Sequence, residues 1–164
     1  AELLKAKPQD VPGRISALQA QIREMQRENE SLRSRLSGVE AGRLLEQVRS
    51  VNGVPFLAAR IGDAGMDQLR AMADGLRDKL GSCVVVLASP AGDKVNIVAA
   101  VTPDLVSKGF HAGRIAKETA AFCGGGGGGR PDMAQAGGKD VSKIAGALEQ
   151  AERVVAQQAE QLQE

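Results

Sequence analysis

The sequence predicts a mixed α/β (α+β) protein, in which a long N-terminal heptad helix precedes a small globular domain with a mixed β-sheet flanked by helices. Three observations predict it: an apolar heptad pattern from Ile15 to Val39, a β-branched apolar run at 83–88, and helical patterns on both sides of that run. A length of 164 residues fits one domain, or one small domain with an appendage. We divide the chain into a truncated helix tail with a linker (1–14), a coiled-coil-like helical segment (15–52) and a globular segment (53–164).

The first segment has helix-forming composition up to Lys7 but begins without a helix start signal. Pro8 and Pro12 then break the helix, because proline lacks a backbone donor and restricts the residue before it. We therefore expect that more protein precedes this chain.

The second segment carries an apolar stripe whose members alternate three and four residues apart. So narrow a stripe on one helix predicts a partner helix, and a polar Asn at an a position can fix the register and the number of strands. The alternative is that the stripe packs on the chain's own globular segment. A helix end is expected near Ser50–Gly53. The stripe consists of Ile15, Leu18, Ile22, Met25, Asn29, Leu32, Leu36 and Val39.

The globular segment alternates strand and helix patterns. A strand, a helix and a second strand predict a right-handed parallel crossover, and a turn at 89–93 then predicts a hairpin. We expect the last helix to begin after Asp140 and to bury one face that includes Ile144, Leu148, Ala151, Val155 and Leu162. The predicted elements are strands at 54–61, 83–88 and 94–101 and helices at 66–80, 104–107 and 112–122.

The composition excludes several kinds of site. Cys83, Cys123 and His111 are the only cysteines and histidine, too few for an all-Cys/His zinc site or a disulfide framework. Three Phe without Trp or Tyr count against stacking platforms for single-stranded nucleic acid. No stretch approaches the roughly 20 apolar residues of a membrane span, and no signal peptide opens the chain. We therefore expect no membrane partner and a reducing, cytoplasmic location.

Six consecutive glycines, followed closely by Gly137 and Gly138, are the most unusual feature of the sequence. A flexible linker is one interpretation. However, the run contains no serine and lies between two predicted helices of one small domain, so an ordered loop is a second. Glycine amides ahead of a helix start can receive phosphate oxygens. The residues alone leave phosphate or RNA backbone binding and a purely structural turn equally open. Neither a P-loop nor a dinucleotide fingerprint matches.

Local charge around the glycine run is modestly basic, although the whole chain has 21 basic and 20 acidic residues. The sequence from Leu105 to Lys143 contains six basic and three acidic residues. Two of the acidic residues, Asp132 and Asp140, would repel a phosphate placed beside them. The basic residues are Lys108, Arg114, Lys117, Arg130, Lys139 and Lys143.

The segment from Cys123 to Asp140 resembles the C-terminal signature of alanyl-tRNA synthetases, in which a glycine run leads into Arg-Pro-Asp, then Ala-Gln, then Gly-Gly. Residues Leu3–Pro8, Val11–Arg14 and the heptad helix are similar to that family's junction between the editing and C-terminal domains. The globular segment resembles the DHH-associated domain, which also occurs in phosphoesterases. The resemblance covers essentially the whole chain.

The resemblance implies a non-catalytic module that binds tRNA, with tRNA-Ala expected. In the family, this domain docks on the outer corner of the tRNA, where the D and T loops meet, and links aminoacylation with editing. The helical part can mediate homodimerisation, and a primarily dimerising module is the alternative function. The upstream catalytic and editing domains are further expected partners.

The motif positions carried over from the family are the expected tRNA contacts. Arg130 is expected to contact phosphate, Gln135 to form hydrogen bonds or fix the fold, and Asp132 to hold Arg130 or cap the turn. Charge alone adds Lys139, Lys117, Arg114, Lys108 and His111. The carried-over positions are Gly124, Gly125, Gly126, Gly127, Gly128, Gly129, Arg130, Pro131, Asp132, Ala134, Gln135, Gly137 and Gly138.

The same resemblance places all cofactors elsewhere. ATP, Mg and Zn are expected only in the upstream catalytic and editing domains, and none in this chain. A third possibility, a fragment of a DHH phosphoesterase, needs clustered Asp and His ligands for metal ions, and the sequence contains no such cluster.

Overall fold

The computed structural model describes residues 10–162, without the side chains of residue 12 and residues 29–41. The chain forms two compact units that divide after Glu40. The elements are α1 (Val11–Leu45), β1 (Arg49–Val51), β2 (Val54–Arg60), α2 (Met66–Leu80), β3 (Val84–Ala91), β4 (Lys94–Val101), α3 (Pro103–Ser107), α4 (Ala112–Phe122), β5 (Gly126–Gly129), β6 (Met133–Gly138) and α5 (Ile144–Gln161).

The strands form one six-stranded mixed sheet in the order β1-β2-β3-β4-β6-β5. Strands β2 and β3 are parallel and are joined through α2, which confirms the predicted parallel crossover. All other neighbouring pairs are antiparallel, including the predicted β3–β4 hairpin. That hairpin turns at Gly92-Asp93, because Ser89–Ala91 continue β3 and do not belong to the turn.

The sheet is covered by helices on both faces, as the mixed α/β class predicts. Val85 and Leu87 of β3 pack in the cluster that contains α2, while Val84, Val86 and Ala88 pack in the cluster formed with α4 and α5. Because side chains alternate along a strand, a strand buried on both faces needs a continuous apolar run. Strand β3 has such a run, and this explains its clear signal in the sequence.

The end of the long helix differs from the prediction. Helix α1 ends at Leu45, and residues 49–51, which were predicted to be helical, form β1. Asn52 (φ 48°) and Gly53 (φ 83°) form the two-residue connection between β1 and β2. An Asn-Gly pair with both φ angles positive suits a tight hairpin turn, so the pair that was interpreted as a helix terminator instead reverses a strand.

The last helix begins later than predicted. The Asp140 side chain accepts a hydrogen bond from the Ser142 amide and caps a short 3₁₀ turn at Val141–Lys143, and α5 begins at Ile144. Ile144, Ala151 and Val155 are buried as expected. Leu162, expected on the same face, lies beyond the helix and is exposed.

The apolar stripe of α1 is exposed where its side chains are described. Ile15, Leu18, Ile22 and Met25 are between 39% and 69% exposed. The other four positions of the stripe, Asn29, Leu32, Leu36 and Val39, have side chains outside the described residues, as do residues 1–9 of the expected helix tail. Among residues 10–162, no helix has the length and apolar character needed to span a bilayer.

Candidate nucleic-acid interface

The glycine run forms the edge strand β5, a structure that the sequence analysis did not predict. Gly126–Gly129 pair antiparallel with β6, with Gly126 opposite Gly137 and Gly128 opposite Gln135. Gly124, at the end of α4, has a φ of +66°, which favours glycine. Four of the six glycines are therefore held against a neighbouring strand, and the run is not a linker.

One side of β5 is too crowded for side chains. A Cβ at Gly125 would lie 2.6 Å from the Cα of Gly138, and one at Gly129 would lie 2.7 Å from the Cα of Ala134. A Cβ at Gly127 would collide with the backbone of β6. Glycine is therefore sterically required at 125, 127 and 129.

The other side of β5 is open. Gly126 and Gly128 are exposed, an added Cβ would meet nothing within 4 Å, and neither has a left-handed φ. A Cβ at Gly137 would make only an ordinary contact, 3.7 Å from the Val95 carbonyl oxygen. Packing within the domain therefore does not require glycine at these three positions. We call the surface formed by Gly126, Gly128, Gln135 and Gly137 the open glycine face.

The open glycine face lies on the α2 side of the sheet. Ala134 and Ala136 of β6 pack in the α4–α5 cluster, whereas Met133 packs in the α2 cluster. Gln135 and Gly137 alternate with the two alanines and share the side of Met133. Gly126 and Gly128 are paired directly with Gly137 and Gln135, so they present the same side.

Two arginines border this face. A shallow cavity of about 320 Å³ is lined by Arg70 of α2, Gly128, Gly129, Arg130, Met133, Ala134 and Gln135. Arg130 was predicted from the motif, but sequence reasoning missed Arg70. The sequence gives little indication of Arg70, because it is an exposed arginine next to the buried Leu69 on an amphipathic helix. It is also far from the glycines in sequence.

The turn between β5 and β6 holds Arg130 in place. The Arg130 guanidinium lies 3.0 Å from the Asp132 carboxylate, an ion pair that suits a positioning role of Asp132. The Asp132 carbonyl oxygen accepts hydrogen bonds from the Val101 amide at 2.9 Å and from Arg77 Nη1 at 3.4 Å. Both side chains of the Arg130–Asp132 pair are exposed, so the pair contributes at most about 1 kcal/mol to stability and leaves Arg130 accessible.

The remaining predicted contacts do not line this cavity. Arg114 and Lys117 are exposed on α4, which packs on the opposite side of the sheet. Arg114 pairs with Glu118 at 3.0 Å, and His111 caps α4 by accepting a hydrogen bond from the Arg114 amide. Lys108 is exposed after α3, and Lys139 is exposed after β6.

The cysteines and nearby acids serve the fold. Cys83 and Cys123 are buried free thiols; burial raises the pKa of Cys83 to about 11 and also raises the pKa of Cys123. The Cys123 carbonyl oxygen accepts hydrogen bonds from the amides of Lys139 and Asp140, which fixes the chain after β6. A hydrogen bond from the Ser142 hydroxyl lowers the pKa of Asp140, so this carboxylate stays charged.

Beside the open glycine face, Arg70 and Arg130 supply positive charge and hydrogen-bond donors, and the face itself contains no acid–base pair or nucleophile. Within residues 10–162, no group of three or more His, Cys, Asp or Glu side chains is placed to hold a metal ion. A ligand can approach the glycine backbone closely, because no side chain intervenes. Together with the two arginine guanidinium groups, this suits the binding of phosphate oxygens.

Comparisons with known proteins agree with the resemblance seen in the sequence. The model of the DHHA1 domain matches residues 53–157. The chain is 58% identical to an alanine–tRNA ligase of Geobacillus kaustophilus and 54% identical to that of Bacillus subtilis, each over 90% of this chain and 17% of the relative. It therefore spans about a sixth of the length of these curated relatives.

Solved structures show the same fold. The C-Ala domain from Aquifex aeolicus alanyl-tRNA synthetase matches with a TM-score of 0.62 and 31% identity, over 66% of this chain and 97% of that one. RecJ in complex with Mg²⁺ from Thermus thermophilus matches with a TM-score of 0.58 and 15% identity, over 85% of this chain and 20% of that one. At this identity the second match concerns the fold alone.

Proposed function

Since the chain belongs to the DHHA1 domain family, in the form of the C-Ala domain of bacterial alanyl-tRNA synthetases, we propose that it binds tRNA and catalyses no reaction of its own. The observation that carries the proposal is the open glycine face. Its three glycines have no packing role, and Arg70 and Arg130 flank the adjoining cavity. A surface without side chains lets a sugar-phosphate backbone approach closely, and arginine supplies charge-assisted hydrogen bonds to phosphate.

We further propose how this module serves a complete enzyme. The complete protein is an alanine–tRNA ligase that acts in the cytoplasm on tRNA-Ala. This domain docks on the outer corner of the tRNA and links the aminoacylation and editing domains. ATP, Mg and Zn belong to those other domains. The support is the identity to alanine–tRNA ligases together with a face whose donors suit an RNA backbone.

Replacing Arg130 with alanine tests the proposal. A titration of tRNA should show an affinity that falls linearly with the logarithm of salt concentration, because phosphate contacts release counterions. Arg130→Ala should weaken binding about tenfold and reduce the salt slope by about 1, since one phosphate contact is lost. Thermal unfolding should stay close to that of the unchanged protein, because the Arg130–Asp132 pair is exposed.

Arg60→Ala is the matched control, because Arg60 is an exposed arginine at the end of β2. Three strands lie between β2 and β5 in the sheet, so Arg60 is far from the open glycine face. The proposal fails if the unchanged protein does not bind tRNA at low salt, or if both variants bind equally well. A hydroxyl-radical footprint then tests the docking site: protection confined to the corner of the tRNA supports it, and evenly spread protection contradicts it.

A second candidate function is homodimerisation through α1. It is favoured by the exposed apolar side chains of Ile15, Leu18, Ile22 and Met25, which recur at heptad spacing. Sedimentation should give a dimer for the unchanged chain and a monomer for Ile22→Asp, because a charge in a heptad seam opposes pairing. Glu24→Gln, an exposed change off the stripe, should leave the dimer intact. A monomer in all three proteins would contradict this function.

A further inference from the structure

A second cavity of about 320 Å³ lies between the start of α4 and the end of α5. It is lined by Gly109, His111, Arg114, Gln158, Gln161 and Leu162. None of these residues belongs to the open glycine face. A Cβ at Gly109 would lie 2.6 Å from a methyl carbon of Leu162, so a side chain there would push into the end of the cavity.

Gln158 is the unusual member of this cavity. It is only 3% exposed, and its Oε1 accepts a hydrogen bond from the His111 amide at 3.0 Å. That bond fixes the amide orientation, so Nε2 is a donor. Nε2 is buried and has no acceptor among the residues that the structure describes. A buried polar group without a partner costs free energy, and this cost is removed when a ligand supplies an acceptor.

The other polar groups of the cavity also favour an acceptor. His111 Nδ1 accepts a hydrogen bond from the Arg114 amide at 3.3 Å, so in the neutral imidazole the proton lies on Nε2. Arg114 is held by Glu118 at 3.0 Å and by Gln161 Oε1 at 3.2 Å, which orders its guanidinium at the rim. Glu118 offsets part of this positive charge. The start of α4, an 11-residue helix, adds the partial positive charge of its dipole.

The cavity lies close to the turn that carries Arg130. The Ala112 amide at the start of α4 donates to the Pro131 carbonyl oxygen at 2.8 Å. A Cβ at Gly113 would lie 2.6 Å from the Gly129 carbonyl oxygen, so α4 and β5 approach each other without intervening side chains. The start of α4, whose residues His111 and Arg114 line the cavity, therefore packs against the turn that carries Arg130.

We propose that this cavity binds an oxyanion, namely a backbone phosphate of the RNA strand that continues past Arg130 from the open glycine face. This inference rests on the proposed tRNA binding. Gln158 Nε2 donates from the buried side, and Arg114 and His111 donate from the rim.

The direct test follows the side-chain amide signal of Gln158 in ¹⁵N NMR spectra of the 164-residue chain, assigned by its loss in Gln158→Met. Inorganic phosphate should shift this signal in a saturable manner, whereas the Gln150 amide on the same helix should not move. Transfer RNA should shift it too. A signal that responds to acetate but not to phosphate or tRNA would overturn the inference and indicate a protein carboxylate as the ligand.

Arg114→Gln gives a second measurement that does not alter Gln158. It removes the charge and should weaken tRNA binding about tenfold and lower the salt slope by about 1. The inference fails alone if Arg130→Ala weakens tRNA binding while Arg114→Gln does not and the Gln158 signal stays still. If the unchanged chain binds no tRNA, the proposed function fails as well, and a phosphate shift at Gln158 then identifies a site for free phosphate only.

Discussion

Replacing Gly128 with valine is expected to weaken tRNA binding about tenfold or more, equivalent to at least about 1.4 kcal/mol, while the domain remains folded. Gly128 is exposed, has no left-handed φ, and has nothing within 4 Å of an added Cβ. A branched side chain there projects from the centre of the open glycine face and keeps an RNA backbone away from Gln135 and the two arginines. Valine also suits a strand, so folding is not penalised.

Gly62→Val is the matched control for this prediction. Gly62 is also exposed and also has open space around an added Cβ, but it follows β2, far across the sheet from β5. Binding is measured by titration with tRNA, and folding by circular dichroism and size exclusion. If Gly128→Val binds as tightly as Gly62→Val, RNA does not rest on this face.

Replacing Gly127 with alanine is expected to lower the free energy of unfolding by about 1–3 kcal/mol. The new methyl group would collide with the backbone and the Cβ of Ala136, so β5 must move away from β6. Gly128→Ala, the neighbouring position, adds the same methyl group in open space. It should be neutral or raise stability by about 0.5 kcal/mol, because glycine loses more backbone entropy on folding than alanine does.

Urea unfolding of the two variants measures this difference. Because they differ only in which side of one strand carries a methyl group, their denatured states are nearly the same. Equal stabilities would mean that the crowded and open sides of β5 are not distinct, and the openness of β5 at Gly126 and Gly128 would then no longer indicate ligand binding.

The sequence was most informative where a single element carries its own pattern. The continuous apolar run of β3 predicts a buried strand, because both of its faces pack against helices. The pattern of α2 predicts a helix, because its buried residues recur at helical spacing. These signals are local. They sufficed for the class of the fold, the parallel crossover and the β3–β4 hairpin.

The candidate site was less predictable because its geometry is not local. Glycine has low strand propensity, so β5 exists only through its pairing with β6 and its contact with α4, and no pattern within residues 124–129 indicates it. The motif places Arg130 and Gln135 among the expected tRNA contacts, and both line the cavity beside the open glycine face. Arg70 comes from a helix that ends 46 residues before β5 begins, so only the folded sheet brings it to the same cavity.

A strand made of glycine also has a thermodynamic consequence. Glycine loses more backbone entropy on folding than any other residue type, and it has no side chain whose burial could offset this cost. Strand β5 therefore opens locally at lower free energy than the centre of the sheet, and its amide hydrogens exchange with solvent sooner than those of β3. A nucleic acid that settles on this edge lowers the frequency of such openings, so part of its binding free energy is used to order the strand it rests on.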